Sequence, residues 1–256
     1  MREKCPSPYF SIITACYNSA VTLPQTLASV ESQVDTTVEH LIIDGDSTDG
    51  SLDIVREYSH ISQVISEPDN GMYVAMNKGV NLAKGHVVGI LNADDFYASS
   101  DVLAKVIAVF EDPAVDACYG DLVYVDNTDT TKVVRYWRSG SFDLRKFYWG
   151  WMPPHPTFFV RRSIYERFGL FNLDLGSAAD YELMLRFLVK HKINTAYIPE
   201  VLVKMRTGGI SNVSWKNRLK ANQMDRRAWK VNGLKPYPWT LWFKPLRKIR
   251  QWLMKQ

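Results

Sequence analysis

The chain contains no apolar run near the roughly 20 residues that a membrane-spanning helix requires, so no span is expected. Cysteine is scarce: Cys5, Cys16 and Cys118 are odd in number, far apart, and form no Cys-x-x-Cys pair. That excludes a disulfide framework and a zinc ribbon, and reduced thiols are expected. The 14 glycines and 12 prolines are too few for a collagenous or low-complexity chain. No Gly-x-Gly-x-x-Gly, Walker loop or Gly-x-Ser-x-Gly occurs, so dehydrogenase, P-loop ATPase and α/β-hydrolase readings lose their motifs. The segment Met1-Arg-Glu-Lys-Cys-Pro6 has no apolar signal-peptide core, and a cytoplasmic location is expected.

What is present suits an ordinary globular domain. The 256 residues are 46% hydrophobic and 23% charged. A chain of this length buries about 70–75% of its unfolded surface and needs no staple. The net charge of +4 is unevenly spread: Val213–Gln256 holds 12 lysines and arginines against Asp225 alone, whereas residues 1–212 hold 19 bases and 26 acids. The body is therefore acidic and the C-terminal segment basic.

Strands and helices alternate through the first hundred residues. Tyr9–Ala15, Val38–Ile43, Gln63–Ser66 and His86–Leu91 are short apolar, β-branched runs that read as buried strands. Between them, Leu23, Leu27 and Val30 share a helical face with Asn18 or Thr22 as candidate cap. Leu52–Tyr58, Met72–Ala83 and Val102–Phe110 are further helices. This order predicts βαβ units and a mostly parallel sheet flanked by helices. Ligands of such sheets bind beyond the carboxyl ends of the strands, where Thr14–Asn18, Asp44–Asp49 and Asn92–Asp95 fall. Downstream, Ala117–Val125 and Lys132–Trp137 suggest a hairpin, Thr157–Val160 a strand and Asp180–Lys190 a helix. Asn194–Ile198 and Val201–Met205 read as two short strands.

Several residues are candidates for chemistry. Asp94 and Asp95 are adjacent carboxylates that repel unless a cation lies between them; a hard divalent ion takes such oxygen ligands and completes its shell with phosphate and water. Equally, Asp95 can cap the next turn. Asp44 and its loop can accept from a base or ribose, and Ser47 or Asp49 can cap the following helix. Asp180, at a loop-to-helix junction, suits a general base or a cap. Tyr148, Trp149 and Trp151, with His155, can stack on a sugar or belong to the core. His155 has no second ligand at metal spacing.

Taken in order, Phe10-Ser-Ile-Ile-Thr-Ala-Cys-Tyr-Asn18, Ile42-Ile-Asp-Gly-Asp-Ser-Thr-Asp-Gly50, Ser66-Glu-Pro-Asp-Asn-Gly-Met-Tyr73, Ala75-Met-Asn-Lys-Gly79, Leu91-Asn-Ala-Asp-Asp95 and Ala179-Asp-Tyr-Glu-Leu183 resemble the inverting family 2 glycosyltransferases of GT-A fold, in particular bacterial exopolysaccharide and O-antigen enzymes. The resemblance spans roughly residues 8–210. It implies a GT-A domain over 1–212, with a nucleotide-binding half at about 8–110 and an acceptor half at about 111–212, followed by a basic, Trp-rich extension at 213–256.

By the same resemblance, Thr14, Tyr17 and Asn18 line the base and ribose site, and Asp44 recognises the base. Asp69 and Lys78 line the donor pocket, joined by Asn92, Ala93 and Asp94. Asp94 and Asp95 hold Mn²⁺ or Mg²⁺ on the diphosphate, Asp180 is the catalytic base, and Arg206 sits in a loop closing over the donor. Tyr148, Trp149, Trp151 and His155 are assigned to the acceptor. The implied donor is a UDP-, GDP- or dTDP-linked sugar, and the acceptor a glycan or a polyprenyl-diphosphate-linked sugar. A sugar nucleotidyltransferase would instead show a Gly-rich basic loop after the first strand, which Thr14-Ala-Cys-Tyr-Asn18 is not. A carbohydrate-binding module would have no use for Asp94, Asp95 and Asp180 together.

The C-terminal segment carries five of the eight tryptophans. After Pro245, the residues Leu246, Ile249, Trp252 and Leu253 share a helical face, with Lys248, Arg250 and Lys255 largely off it. That pattern predicts a helix on an anionic membrane surface through 235–256, hence a peripheral protein on the cytoplasmic face of a bacterial inner membrane. No nucleic-acid partner is expected, because the body is acidic and lacks a recognition motif.

Overall fold

A computed structural model describes residues 8–208 and 215–241. Its strands are β1 (Phe10–Cys16), β2 (Val38–Asp44), β3 (Ile61–Ser66), β4 (Val87–Ile90), β5 (Asp95–Tyr97), β6 (Ala117–Val125), β7 (Val133–Trp137), β8 (Phe159–Arg161) and β9 (Thr195–Arg206). The helices are α1 (Leu23–Glu31), α2 (Ser51–Arg56), α3 (Met72–Leu82), α4 (Val102–Phe110), α5 (Arg145–Tyr148), α6 (Arg162–Phe168), α7 (Ala179–Met184) and α8 (Trp215–Val231). A π-helical turn, Leu185–Lys190, prolongs α7.

The strands form one sheet in the order β3-β2-β1-β4-β8-β6-β9-β5, with β7 paired to β6. The first four strands are parallel, as their helical crossovers require. Beyond β4 the sheet is mixed: β8 runs antiparallel to β4 and β6, β6 is parallel to β9, and β5 and β7 are antiparallel to their partners. The expected parallel arrangement thus holds for the nucleotide-side half only. In the other half a short loop joins β6 to β7, and so short a connection cannot reverse into a parallel neighbour.

Both faces of the sheet are covered. Ile13 of β1 packs with Met76 and Val80 of α3 on one side, while Phe10 and Ile12 pack with Val102, Leu103 and Val106 of α4 on the other. Alternate side chains point to opposite faces, so a doubly covered strand reads as one apolar run.

Two elements differ from expectation. The two short strands expected at 194–205 are one twelve-residue strand, β9; its register on β6 shifts between Tyr119 and Asp121, so that Pro199 and its neighbours bulge out without ending the strand. Thr22 occupies the N-cap position of α1 without capping it: its hydroxyl donates to the carbonyl of Ala93 instead (2.9 Å).

The segment expected as a separate extension from 213 joins the main core as far as 241. Ala228 and Trp229 of α8 and Leu241 are buried in the cluster that contains α7. The Trp229 indole donates to the Tyr181 hydroxyl at 2.9 Å. The helix expected after Pro245 lies outside the described residues, as do Cys5 and residues 209–211 of the expected closing loop.

Candidate active site

The loops after β1 and β2 are stitched together at the carboxyl edge of the sheet. Gly45 N–H donates to Cys16 O (2.9 Å), Asn18 N–H to Ser47 Oγ (2.8 Å), and Thr48 N–H to Asn18 Oδ1 (2.9 Å). Ala20 N–H donates to Asp49 Oδ2 (2.9 Å), whose other oxygen accepts from Ser51 N–H and Oγ at the start of α2. Asn18 adopts φ 48°, a left-handed conformation that asparagine tolerates better than most residues. Tyr17, beside it, is 65% exposed.

Two residues expected in this pocket serve the framework instead. Thr14 is fully buried, and its hydroxyl is hydrogen-bonded to His40 Nε2 (3.0 Å). Asp44 is also fully buried. Its Oδ1 accepts from Cys16 Sγ–H and Ser47 Oγ–H, and its Oδ2 from Ser47 N–H and Ser66 Oγ–H. Burial alone would raise this carboxyl, but those hydrogen bonds hold it below the usual range. Asp44 therefore ties together the ends of β1, β2 and β3, with no oxygen left open to a base.

The acidic turn is placed by β5, which pairs with β9 so that Asp95 lies opposite Met205. Arg206, the last residue of β9 and not a loop residue as expected, donates to the main-chain oxygen of Asp94 (3.3 Å) and to Gln25. Its guanidinium lies 5.3 Å from the Phe96 ring centroid. Asp94 is partly exposed; Asp95 is fully buried and accepts from Asn92 Nδ2 (3.0 Å). Ala93 is buried, and its carbonyl accepts from the hydroxyls of Thr22 and Thr26.

Burial raises the Asp94 carboxyl against the pull of Arg206. Burial, and then the charge of Asp94, push Asp95 well above the usual range. Asn92 Oδ1 and Asp95 Oδ1 are buried without a hydrogen-bond partner. Two carboxylates and an amide oxygen short of compensation suit a hard divalent cation. Of the two residues expected as ligands, Asp94 is partly exposed and Asp95 fully buried. Among the described residues no cluster of three or more His, Cys, Asp or Glu offers a complete protein-built metal site, so the remaining ligands would come from a bound molecule and water.

Lys78 and Asp69, both expected to line the donor pocket, are brought together, Lys78 pairing with both Asp69 and Glu67. Those hydrogen bonds to Asp69 and Glu67 raise the Lys78 amine.

Asp180 lies in the first turn of α7 and is partly exposed. Its Oδ1 accepts from the adjacent Tyr181 N–H (2.7 Å), whereas the N-cap position belongs to Ala178. Tyr73, at the start of α3, is within hydrogen-bonding reach of Asp180; burial, and then the carboxylate charge, raise its phenol far above the ordinary value. His155 faces the same carboxylate; burial lowers the imidazole and Asp180 partly restores it. Phe171 lies between them, its ring 5.4 Å from Tyr73 and 5.6 Å from His155. Asn77 of α3 holds Phe171 by both main-chain groups, donating to its carbonyl and accepting from its N–H, each at 2.9 Å. Sequence reasoning assigned no role to Tyr73 or Asn77. An asparagine in mid-helix, a poor helix former, was the available signal for the latter.

The expected acceptor cluster divides. Trp151 is buried in the core, its indole donating to Ser139 O (3.0 Å), and cannot stack on a sugar. Tyr148 is half-buried with its ring 4.9 Å from that of Trp229. Trp149 points outward against Trp239. Only His155 adjoins Asp180.

The chain is similar to several known proteins. The profile described as glycosyl transferase family 2 matches residues 11–169. A PGL/p-HBAD biosynthesis glycosyltransferase of Mycobacterium bovis is 32% identical over 212 residues, covering 80% of each chain. Among solved structures, S. aureus TarS 1–349 in complex with UDP-GlcNAc superposes with TM-score 0.69 at 19% identity, over 87% of this chain and 66% of that one. The mannosyltransferase PcManGT from Pyrobaculum calidifontis, in complex with GDP-Man and Mn²⁺, gives TM-score 0.63 at 21% identity, over 96% of this chain and 70% of that one.

Proposed function

Because this chain belongs to glycosyl transferase family 2 and is a glycosyltransferase, we propose that it moves a sugar from a nucleotide-diphosphate sugar to a hydroxyl of a glycan or polyprenyl-diphosphate-linked acceptor, with inversion, in building a bacterial surface polysaccharide. The observation that carries the donor half is the Asn92–Asp95 turn, with its two unpartnered buried oxygens beside Arg206. Asp94 and Asp95 would hold Mn²⁺ or Mg²⁺ there, Asp94 being the more exposed of the two. When bound, the ion neutralises charge on a leaving diphosphate. The named complexes of the two structural neighbours, with UDP-GlcNAc and with GDP-Man and Mn²⁺, support a nucleotide-sugar donor.

On the acceptor side, Asp180 takes the proton of the attacking hydroxyl, an aid of about 10²–10⁴ in rate. Attack opposite the leaving group inverts the anomeric carbon. Tyr73 stays protonated and fixes the carboxylate; His155, held neutral, adds no charge to compete with it. Tyr17 offers an exposed ring to the base, with Asn18 ordering its loop. The Lys78–Asp69 pair lines the donor side. No helix among the described residues is long and apolar enough to cross a membrane; we place the enzyme peripherally on the cytoplasmic face of the inner membrane, where lipid-linked acceptors are met.

The test is a panel of UDP-, GDP- and dTDP-sugars with Mn²⁺, Mg²⁺ or excess EDTA, scored by release of nucleoside diphosphate. Cation-dependent release, abolished in Asp94→Ala, is expected. Full turnover in EDTA would refute the cation site.

A further inference from the structure

Four large aromatic side chains are exposed among the described residues: Tyr17, Trp149, Tyr237 and Trp239. Tyr17 belongs to the candidate nucleotide site. The other three stand together, although they come from two distant segments. Ring centroids are 6.0 Å apart between Trp149 and Trp239 and 5.3 Å between Tyr237 and Trp239. They are 47%, 41% and 47% exposed, in the order Trp149, Trp239, Tyr237.

The patch has a firm base. Tyr148 lies beneath it, its ring 5.1 Å from Tyr237 and 4.9 Å from the buried Trp229. Thr240 Oγ1 donates to Tyr148 O at 2.7 Å. Trp229 in turn bonds Tyr181, the neighbour of Asp180 in α7. The exposed rings and the candidate catalytic carboxylate are therefore carried by one framework.

We propose that Trp149, Tyr237 and Trp239 form an interfacial anchor that seats the acceptor side of the molecule on an anionic lipid bilayer. This rests on the reading that the acceptor is lipid-linked. Tyrosine and tryptophan present an apolar body with one polar atom, the chemistry of the membrane–water interface. The charge of the chain that carries Tyr237 and Trp239 is complementary to anionic headgroups: Lys230 and Lys235 are exposed, and in sequence the stretch after Leu241 holds five bases and no acid. A sugar platform needs hydrogen-bonding side chains beside its rings. Of the nearby polar side chains, Asn232 and Thr240 are buried and already bonded, and Lys235 is basic.

The full chain is sedimented with equimolar phosphatidylglycerol–phosphatidylcholine vesicles and with phosphatidylcholine vesicles, at low and high potassium chloride. Wild type is expected to bind the anionic vesicles in a salt-sensitive manner. Tyr237→Ser/Trp239→Ser should reduce that partitioning roughly tenfold, because affinity scales with buried apolar area as well as charge. Nucleoside-diphosphate release with a water-soluble acceptor should be unchanged in this variant, which also confirms its fold. Trp149→Ser alone gives a second, milder loss. Failure of wild type to bind, or variants that bind like wild type, would overturn the proposal; the latter assigns binding to the basic chain alone. Unchanged vesicle binding with a raised KM for a soluble glycan overturns it in favour of a sugar platform. If wild type binds and the variants do not, yet no nucleotide-sugar is turned over, the anchor stands and the transfer reading fails.

Discussion

Asparagine in a helix interior is disfavoured because its carboxamide competes for backbone hydrogen bonds. Asn77 directs that carboxamide at another segment, the main chain of Phe171, and so fixes the ring between Tyr73 and His155 beside Asp180. Removing it leaves an N–H and a carbonyl without partners, at a cost of about 1–3 kcal/mol. We expect Asn77→Ala to lower kcat about tenfold through misplacement of the Asp180 surroundings, with donor affinity unchanged. Asn77→Asp, which keeps the acceptor for Phe171 N–H, should be intermediate. Steady-state kinetics with calorimetric donor binding check this; a lower Tm with unchanged kcat would make Asn77 purely structural. At this scale the sequence was partly legible. The ordered motifs located the carboxylates. They did not show which way Thr14, Asp44 and Trp151 turn, because that depends on His40, Ser66 and Ser139, each far away in sequence.

At the scale of elements, α3 shows how a motif can be a contact. Gly79 in Met-Asn-Lys-Gly is a poor helix residue, and replacement by alanine in an exposed helix stabilises by roughly 0.5–1 kcal/mol. Here an added Cβ would lie 2.4 Å from Cγ2 of Ile13 in β1. Overpacking outweighs propensity, so Gly79→Ala should destabilise by about 1–3 kcal/mol, read as a lower urea midpoint at unchanged slope. A stabilised variant would show that α3 does not press on β1. The first four strands and their helices were legible because each crossover repeats one pattern of apolar run and amphipathic turn. Strand β5 was not: three residues carry no periodicity, and only pairing with β9 makes Asp95–Tyr97 a strand. The bulge at Pro199 likewise looked like a strand end, because proline interrupts a ladder unless a bulge absorbs it.

Across the whole molecule, the two candidate carboxylate sites come from different halves of the chain. Asp94 lies in the turn between β4, the last strand of the parallel set, and β5, which pairs with β9; Asp180 lies in α7, which packs with α8. Charge imbalance between body and C-terminal segment was visible from composition, but not that Trp229 is buried against Tyr181. A buried tryptophan and an interfacial one have the same letter; their difference is tertiary. This division of labour makes one measurement the most direct test of the account: donor affinity and kcat for Asp180→Asn beside wild type, with the preferred nucleotide-sugar and cation. The substitution preserves size and removes the basic oxygen. Wild-type donor affinity and loss of kcat by at least about 10² are expected. Near-wild-type kcat, or loss of donor binding with kcat retained, would contradict it.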